Sequence, residues 1–187
     1  MTYAVAGLAL MVAATLVNAL LTTKVVKAWQ AVITAPPRPR NAVPAEDEPT
    51  LAVAEGERLP AFTLHTPEGE ATESALDGQP ALICFLRPAC GPTRDSLPEI
   101  ERWAAANTPS GARLVAIVNG AEDEAGPLLE AVTPLTGLTA VEPSGGPVAT
   151  AFGVRYHPSF VLVRADGTIT ETGIGQGSLP ALNLLTV

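Results

Sequence analysis

The sequence predicts an α/β fold in which a mixed central sheet carries helices on both faces, with one transmembrane helix before it. Apolar runs of strand length alternate with segments of helical periodicity, as in sheets that helices cover. An Ala-Asp-Gly turn at 165–167 joins the last two strand-like runs and indicates a final hairpin. Near the N-terminus, the nineteen residues from Tyr3 to Leu21 carry no charge. The chain of 187 residues therefore divides into an anchor over 1–23, a linker over 24–57 and a folded domain over 58–187.

The uncharged N-terminal stretch has the length of a membrane span, because at about 1.5 Å per residue it reaches roughly 28 Å. Lys24, Lys27 and Trp29 follow it, as interfacial anchoring residues do. A cleaved signal peptide is the competing interpretation, but it requires a basic segment before the apolar run. We therefore predict an uncleaved single-pass anchor. The two lysines favour a cytoplasmic position for the residues that follow them.

The linker is rich in proline, carries the acidic run 46–48 and has few bulky apolar side chains, so we predict an unstructured spacer. The whole chain has a formal net charge of -8, which argues against nucleic acid as a partner because the phosphate backbone would be repelled. The only histidines, His65 and His157, are far apart in sequence, and no metal-ligand spacing appears. We predict no metal and no cofactor.

Within the domain, the apolar and polar patterns predict each element in chain order. A hairpin is expected first, and the later apolar runs have the length of buried strands. Positions 97, 100, 103 and 104 are apolar at helical spacing and indicate a helix after Cys90. The predicted strands are 61–66, a short return at 71–72, 81–86, 113–118, 160–163 and 168–172, and further helices are predicted over 122–132 and 179–185. The segment 143–147 is predicted as a loop because of its prolines and glycines.

The tetrad Cys90-Gly91-Pro92-Thr93 lies where the predicted strand 81–86 gives way to a helix. Proline at a first helical position gives up no hydrogen bond, and the N–H groups and dipole of a helix N-terminus favour a thiolate. The other cysteine, Cys84, falls inside the apolar strand, where a cysteine usually behaves as a small buried hydrophobic residue. A disulfide between the two is not expected, since strand residues six apart are too distant.

Three segments, taken in order, carry a family resemblance: Leu-Pro-Ala-Phe-Thr-Leu at 59–64, Phe-Leu-Arg-Pro-Ala-Cys at 85–90, and Tyr-His-Pro-Ser-Phe-Val at 156–161 with the strand and turn that follow it. They resemble the thioredoxin-like redoxins of the TlpA group over about residues 57–187. Within that group, the N-terminal membrane helix, the linker and the Pro-x-Cys entry are most similar to the MauD proteins, which assist methylamine utilisation. The resemblance implies a thioredoxin-like fold and a thiol-disulfide oxidoreductase.

The resemblance also implies roles for individual residues. Cys90 would be the nucleophile, and Pro158 would be the family's cis-proline, which lies beside the cysteine and leaves the preceding backbone free to pair with an extended substrate. Gly91 and Pro92 would form the turn at the substrate-binding surface. Thr93 stands where the family has its resolving cysteine, and its hydroxyl is either inert or a hydrogen-bond donor to the thiolate. Cys84 stands where thioredoxin has a buried carboxylate, so both parts of the resolving machinery are absent.

His157, directly before Pro158, departs from the family pattern and has two interpretations. An imidazole titrates near neutrality, so it could stabilise the Cys90 thiolate or pass a proton to a leaving sulfur. Alternatively, it is a partly exposed histidine without a chemical part, and the sequence alone leaves both open. His65, on the predicted hairpin, is interpreted as a surface residue.

Three functions follow from these residues. The first is a membrane-tethered monothiol oxidoreductase, in which Cys90 forms mixed disulfides with a partner protein and an external thiol resolves them. The second is a non-catalytic module whose groove beside Pro158 receives an extended segment of a partner. The third is a one-cysteine peroxidase, which is disfavoured because Arg87 stands where peroxiredoxins usually have Thr or Ser. We rank them in that order and, from the resemblance, expect the domain outside the cytoplasm.

Overall fold

The computed structural model describes residues 49–181, apart from 68 and 77. The predicted anchor over 1–23 and the linker up to residue 48 lie outside the described residues. No helix among those that the structure does describe is both long and apolar enough to cross a bilayer.

The described part of the chain is built on a five-stranded mixed sheet. The strand order is β5-β4-β3-β6-β7, with β3, β4 and β5 parallel and β6 and β7 antiparallel to their neighbours. A separate antiparallel pair, β1 with β2, precedes it. The strands are β1 Thr63–Thr66, β2 Gly69–Thr72, β3 Ala81–Leu86, β4 Arg113–Asn119, β5 Leu138–Glu142, β6 Ser159–Val163 and β7 Ile169–Ile174, and the helices are α1 Gly91–Asn107, α2 Glu122–Val132 and α3 Pro147–Phe152.

All six side chains of β3 are buried, because this central strand is covered on both faces. Leu82, Cys84 and Leu86 point to the face that α1 and α2 cover. Ala81, Ile83 and Phe85 alternate with them and pack on the other face, which α3 covers. The prediction of a mixed sheet with helices on both faces is therefore confirmed.

Most predicted elements have their counterparts in the structure. Strand 81–86 and helix 122–132 have the predicted bounds, and the first and last hairpins form as expected. The helix predicted over 179–185 is wrong at residues 179–181, which follow a glycine-containing turn and have no helical structure, and residues 182–187 lie outside the described part. Strand β5 and helix α3 were not predicted, and α3 begins at Pro147, the last residue of the predicted loop.

The N-terminal part of the described chain packs against the domain earlier than the predicted boundary at residue 58. Val53 is buried in the core and Leu51 packs against it. The Ala52 N–H donates to the carbonyl of Phe152 at 2.9 Å, and the Gly56 N–H donates to that of Ile169 at 2.8 Å. Because these backbone groups bond to α3 and β7, the segment from Leu51 onward belongs to the folded domain rather than to a free linker.

Candidate active site at the start of helix α1

Cys90 is the N-cap residue of α1 and is half-buried. Its backbone is extended, with φ -90° and ψ 121°, and its carbonyl accepts the Arg94 N–H at 3.1 Å. Ala89 before it has φ +54°, in the left-handed region, and so turns the chain from β3 into the helix. Gly91 and Pro92 follow as exposed residues of the first turn. This local geometry places the sulfur at the positive end of a seventeen-residue helix.

The loop before β6 meets Cys90 from the other side. The Cys90 Sγ lies 3.6 Å from the carbonyl oxygen of His157, within the range of a hydrogen bond from a thiol. The peptide bond from His157 to Pro158 is cis, as the resemblance predicts, and Pro158 is buried. The Pro158 carbonyl accepts the Gly175 N–H at 2.8 Å, which ties the loop to the residue after β7. The structure thus brings Cys90, His157 and Pro158 together from distant parts of the sequence.

Thr93 is on the buried side of the first turn of α1, with 2% of its surface exposed. Its Oγ1 accepts a hydrogen bond from the backbone N–H of Arg87 at 3.3 Å. Of the two interpretations of Thr93, the structure shows a hydroxyl engaged with the loop backbone and shows no bond to the Cys90 sulfur. The Thr93 hydroxyl therefore holds the loop between β3 and α1 in place, and position 93 has no thiol that could resolve a mixed disulfide.

Cys84 lies in the middle of β3 and is fully buried under α1. Burial raises the pKa of the Cys84 thiol, because a thiolate there would lose its hydration. Both cysteines are free thiols. Cys84 thus fits the predicted role of a small buried hydrophobic residue.

The imidazole of His157 is half-buried and bonds to a side chain that the sequence did not single out. Its Nε2 lies 3.0 Å from Oδ1 of Asn119, the last residue of β4. Burial in the first place, and the positive charge of Arg87 in the second, lower the pKa of His157 below its ordinary value. Both effects favour the uncharged ring.

Glu142, the last residue of β5, completes this group of side chains and is also buried. Its carboxylate accepts the Asn119 Nδ2–H at 2.8 Å and the backbone N–H groups of Val148 and Ala149 at 3.0 and 2.8 Å. It thereby satisfies two of the free N–H groups at the start of α3. The sequence offered one signal for it: an acidic residue shortly before a glycine pair and a proline, the residue type favoured at the first position of a helix.

A surface cavity of about 580 Å³ lies against β5 and α2, and Cys90, His157 and Pro158 do not line it. Within the described residues there is no group of three or more His, Cys, Asp or Glu side chains arranged to hold a metal ion. The chemistry of the site therefore depends on the half-exposed thiol of Cys90 and the groups around it.

Comparisons with known proteins agree with this fold. No protein-family model matches the sequence. The soluble secreted antigen MPT53 of Mycobacterium tuberculosis is 33% identical over 121 residues, which are 64% of this chain and 67% of the relative. A solved structure of a secreted disulfide oxidoreductase from M. tuberculosis, homologous to E. coli DsbE, aligns with a TM-score of 0.51 and 26% identity, covering 64% of this chain and 87% of that one.

A second solved structure, the thioredoxin domain of a thiol-disulfide oxidoreductase from Bacteroides vulgatus, aligns with a TM-score of 0.59 over 68% of this chain and 93% of that one. At 17% identity it supports the fold alone. The fold and these relatives together define a thioredoxin-like protein of the thiol:disulfide oxidoreductase class. The chain belongs to the family of the soluble secreted antigen MPT53.

Proposed function

We propose that this chain is a membrane-anchored thiol-disulfide oxidoreductase that acts on protein disulfides or thiols through the single nucleophile Cys90. The observation that carries this proposal is the position of the Cys90 sulfur. It is half-exposed at the start of α1 and 3.6 Å from the His157 carbonyl. A thiol at a helix N-terminus is well placed to attack a disulfide, because the positive end of the helix stabilises the thiolate.

The single-thiol mechanism rests on what surrounds Cys90. The position that follows it by three residues is Thr93, whose hydroxyl bonds the Arg87 N–H. The only other cysteine of the chain, Cys84, is fully buried and holds its proton. A mixed disulfide at Cys90 is therefore resolved by an external thiol, which attacks the partner's sulfur and releases Cys90.

The substrate surface consists of the exposed turn at Gly91 and Pro92 and the loop that ends at Pro158. An extended partner segment lies along the backbone before Pro158, so that a partner disulfide meets the Cys90 sulfur. Backbone pairing of this kind tolerates many sequences, which suits an enzyme for protein disulfides. Similarity to MauD further suggests the maturation of disulfides in a secreted enzyme.

The membrane anchor over 1–23 tethers the domain, and we place the domain outside the cytoplasm. Support comes from the description of the relative MPT53 as a secreted antigen and from the uncharged run Tyr3–Leu21. The two lysines that follow the run favour the opposite orientation. We give more weight to the relative, because positive-inside bias from two charges is small.

A second candidate function is a non-catalytic binding module at the membrane. The observation that favours it is the loss of both resolving features, since Thr93 and Cys84 stand where the thioredoxin family has a thiol and a carboxylate. In that case the groove beside Pro158 holds a partner segment, and Cys90 is incidental.

The test uses the full chain and two disulfide probes. With dithiobis(nitrobenzoate), the wild-type chain and Cys84→Ala are expected to release one equivalent of the coloured thiol rapidly, whereas Cys90→Ser releases none until the chain is unfolded. With insulin as the protein disulfide and glutathione as the external thiol, wild type and Cys84→Ala accelerate reduction and Cys90→Ser does not. Equal insulin reduction by wild type and Cys90→Ser would reject the oxidoreductase and leave the binding module.

A further inference from the structure

The carboxylate of Glu142 fixes the orientation of the Asn119 amide. A carboxylate only accepts hydrogen bonds, and Glu142 already receives the N–H groups of Val148 and Ala149. Asn119 therefore presents its NH₂ group to Glu142, at 2.8 Å. Because Asn119 is completely buried, water offers no alternative partner for a turned amide.

The orientation of Asn119 in turn fixes the proton on the His157 ring. With its NH₂ group on Glu142, Asn119 presents Oδ1 to the ring, and a carbonyl oxygen only accepts. The contact of 3.0 Å therefore requires a hydrogen on Nε2 of His157. In the neutral ring the lone pair is then on Nδ1, which has no hydrogen-bond partner among the residues that the structure describes.

The charges around the ring agree with a neutral imidazole. Arg87, in the loop before α1, acts on it with a positive charge, and burial acts in the same direction. Glu142 on β5 is separated from the ring by the Asn119 amide, and α1 contributes the Cys90 thiol, which bonds to the His157 backbone. A neutral ring whose unprotonated nitrogen is defined can take up a proton and return it. It has no positive charge with which to stabilise a thiolate.

We propose that Asn119 and Glu142 are positioning residues for the thiol chemistry of Cys90: together they hold the His157 imidazole as the Nε2–H tautomer, so that Nδ1 serves as the proton acceptor of the site. This inference rests on the proposed function and extends it to residues outside the redox motif. His157 acts on the thiols directly, whereas Asn119 and Glu142 act through His157.

In the resolving step, an external thiol gives its proton to Nδ1 of His157. Its sulfur attacks the partner's sulfur in the mixed disulfide, and the new S–S bond joins the external thiol to the partner. The bond between the partner and Cys90 breaks, and Cys90 leaves with that electron pair. It then takes the proton back from the imidazolium. The external thiol is oxidised and the Cys90 sulfur is reduced, with no further reactant.

The tautomer can be measured directly, because the chain has only two histidines. In the full chain labelled with ¹⁵N-histidine, ring nitrogen shifts distinguish a protonated from a bare nitrogen, and His65→Gln assigns the remaining ring. We expect one Nε2–H tautomer for His157 at pH 7. An Nδ1–H tautomer, or an average of the two, in the wild-type chain would overturn the proposal even if every variant failed to fold.

Two variants test the roles of Asn119 and Glu142. Asn119→Leu removes the acceptor for Nε2–H, and Glu142→Gln removes the group that holds the Asn119 amide, so the amide is free to turn. In both, the Nε2–H fraction of His157 is expected to fall towards a mixture of tautomers. If both variants are folded by circular dichroism and keep the wild-type tautomer, the proposal is wrong.

The functional readout is the release of the aromatic thiol adduct from Cys90 by glutathione, followed from pH 5.5 to pH 8. We expect the release rate at pH 7 to fall about tenfold in Asn119→Leu and the pH profile to change shape. A release rate that falls by the same factor at every pH would indicate that Asn119 has a structural role only, and it would contradict the proposal. The tautomer measurement involves no thiol reaction, so an inactive Cys90 would reject the proposed function without deciding the tautomer.

Discussion

The sulfur of Cys90 lies 3.6 Å from the carbonyl oxygen of His157, which joins two segments that are far apart in the sequence. The contact puts the start of α1 and the loop before β6 at one point of the surface. The His157 ring bonds to Asn119, which bonds to Glu142, and Glu142 accepts a backbone N–H at the start of α3. The thiol is therefore linked to α3 through a continuous series of hydrogen bonds.

Thr93→Cys should convert the site into a dithiol. The position is buried on the inner side of the first turn, as a resolving thiol would be, and it is three residues from Cys90. The new thiol is expected to displace a bound aromatic thiol from Cys90 internally, with formation of a disulfide that mass spectrometry detects as the loss of two hydrogens. Thr93→Val is the matched control, because it keeps the shape and adds no sulfur.

Thr93→Val itself should lower stability by about 1–2 kcal/mol, since it leaves the Arg87 N–H without its acceptor. An adduct that persists in Thr93→Cys as long as in Thr93→Val would contradict the assignment of position 93.

Cys84→Ala should leave disulfide exchange unchanged and lower stability moderately. The side chain is fully buried between β3 and α1, so its truncation leaves a small cavity that costs about 1 kcal/mol. Urea unfolding of the full chain measures the loss, and the insulin assay measures the exchange. A large loss of exchange in a folded Cys84→Ala chain would mean that the buried thiol takes part in the reaction.

The stability of the chain should fall as the pH is lowered through the range in which a free histidine gains its proton. The pKa of His157 is lowered in the folded chain, so between the folded value and the ordinary value near 6.5 the unfolded chain binds more protons. This contribution is fully present above pH 6.5 and is lost progressively below it. Denaturation midpoints from pH 7.5 to pH 5.5 should therefore decrease less in His157→Gln than in wild type.

His65→Gln is the matched control for that experiment, because the His65 side chain is 74% exposed on the first hairpin. Equal changes of the pH slope in the two histidine variants would show that the effect does not come from the site.

Gly146→Ala should destabilise the chain through Glu142. A Cβ at position 146 would lie 2.7 Å from the Glu142 carboxylate, which the N–H groups of Val148 and Ala149 hold in place. We expect a loss of about 1–3 kcal/mol. In a Glu142→Ala background the same change should cost less, with a coupling of about 1 kcal/mol in a double-mutant cycle. Additive losses would mean that the two residues do not meet.

The sequence predicted the parts of the fold whose patterns are strong and local. The uninterrupted apolar run of β3 and the acidic start of α2 each have a clear signature. Strand β5 escaped prediction because it is only partly buried and its five residues, Leu138–Glu142, form no continuous apolar run. Helix α3 escaped because six residues after a glycine pair are too few to show a helical period.

The residues of the candidate site were likewise predicted only where the sequence pattern is local. Cys90 and Pro158 were singled out because each belongs to a short segment that resembles the family. Asn119 and Glu142 were missed because their importance arises from a contact between the ends of neighbouring strands, and Asn119 carries no motif of its own. The interpretation of His157 required the direction of its ring, which depends on Asn119 and not on the residues adjacent to His157 in sequence.

The burial of Cys84 and the hydroxyl at position 93 have a kinetic consequence for the proposed enzyme. Because no second thiol is accessible, the chain itself cannot resolve a mixed disulfide between Cys90 and a partner. The lifetime of a complex between Cys90 and a partner then varies inversely with the concentration of thiol in the surroundings. In a thiol-poor compartment the partner stays captured, and a rise in thiol concentration releases it.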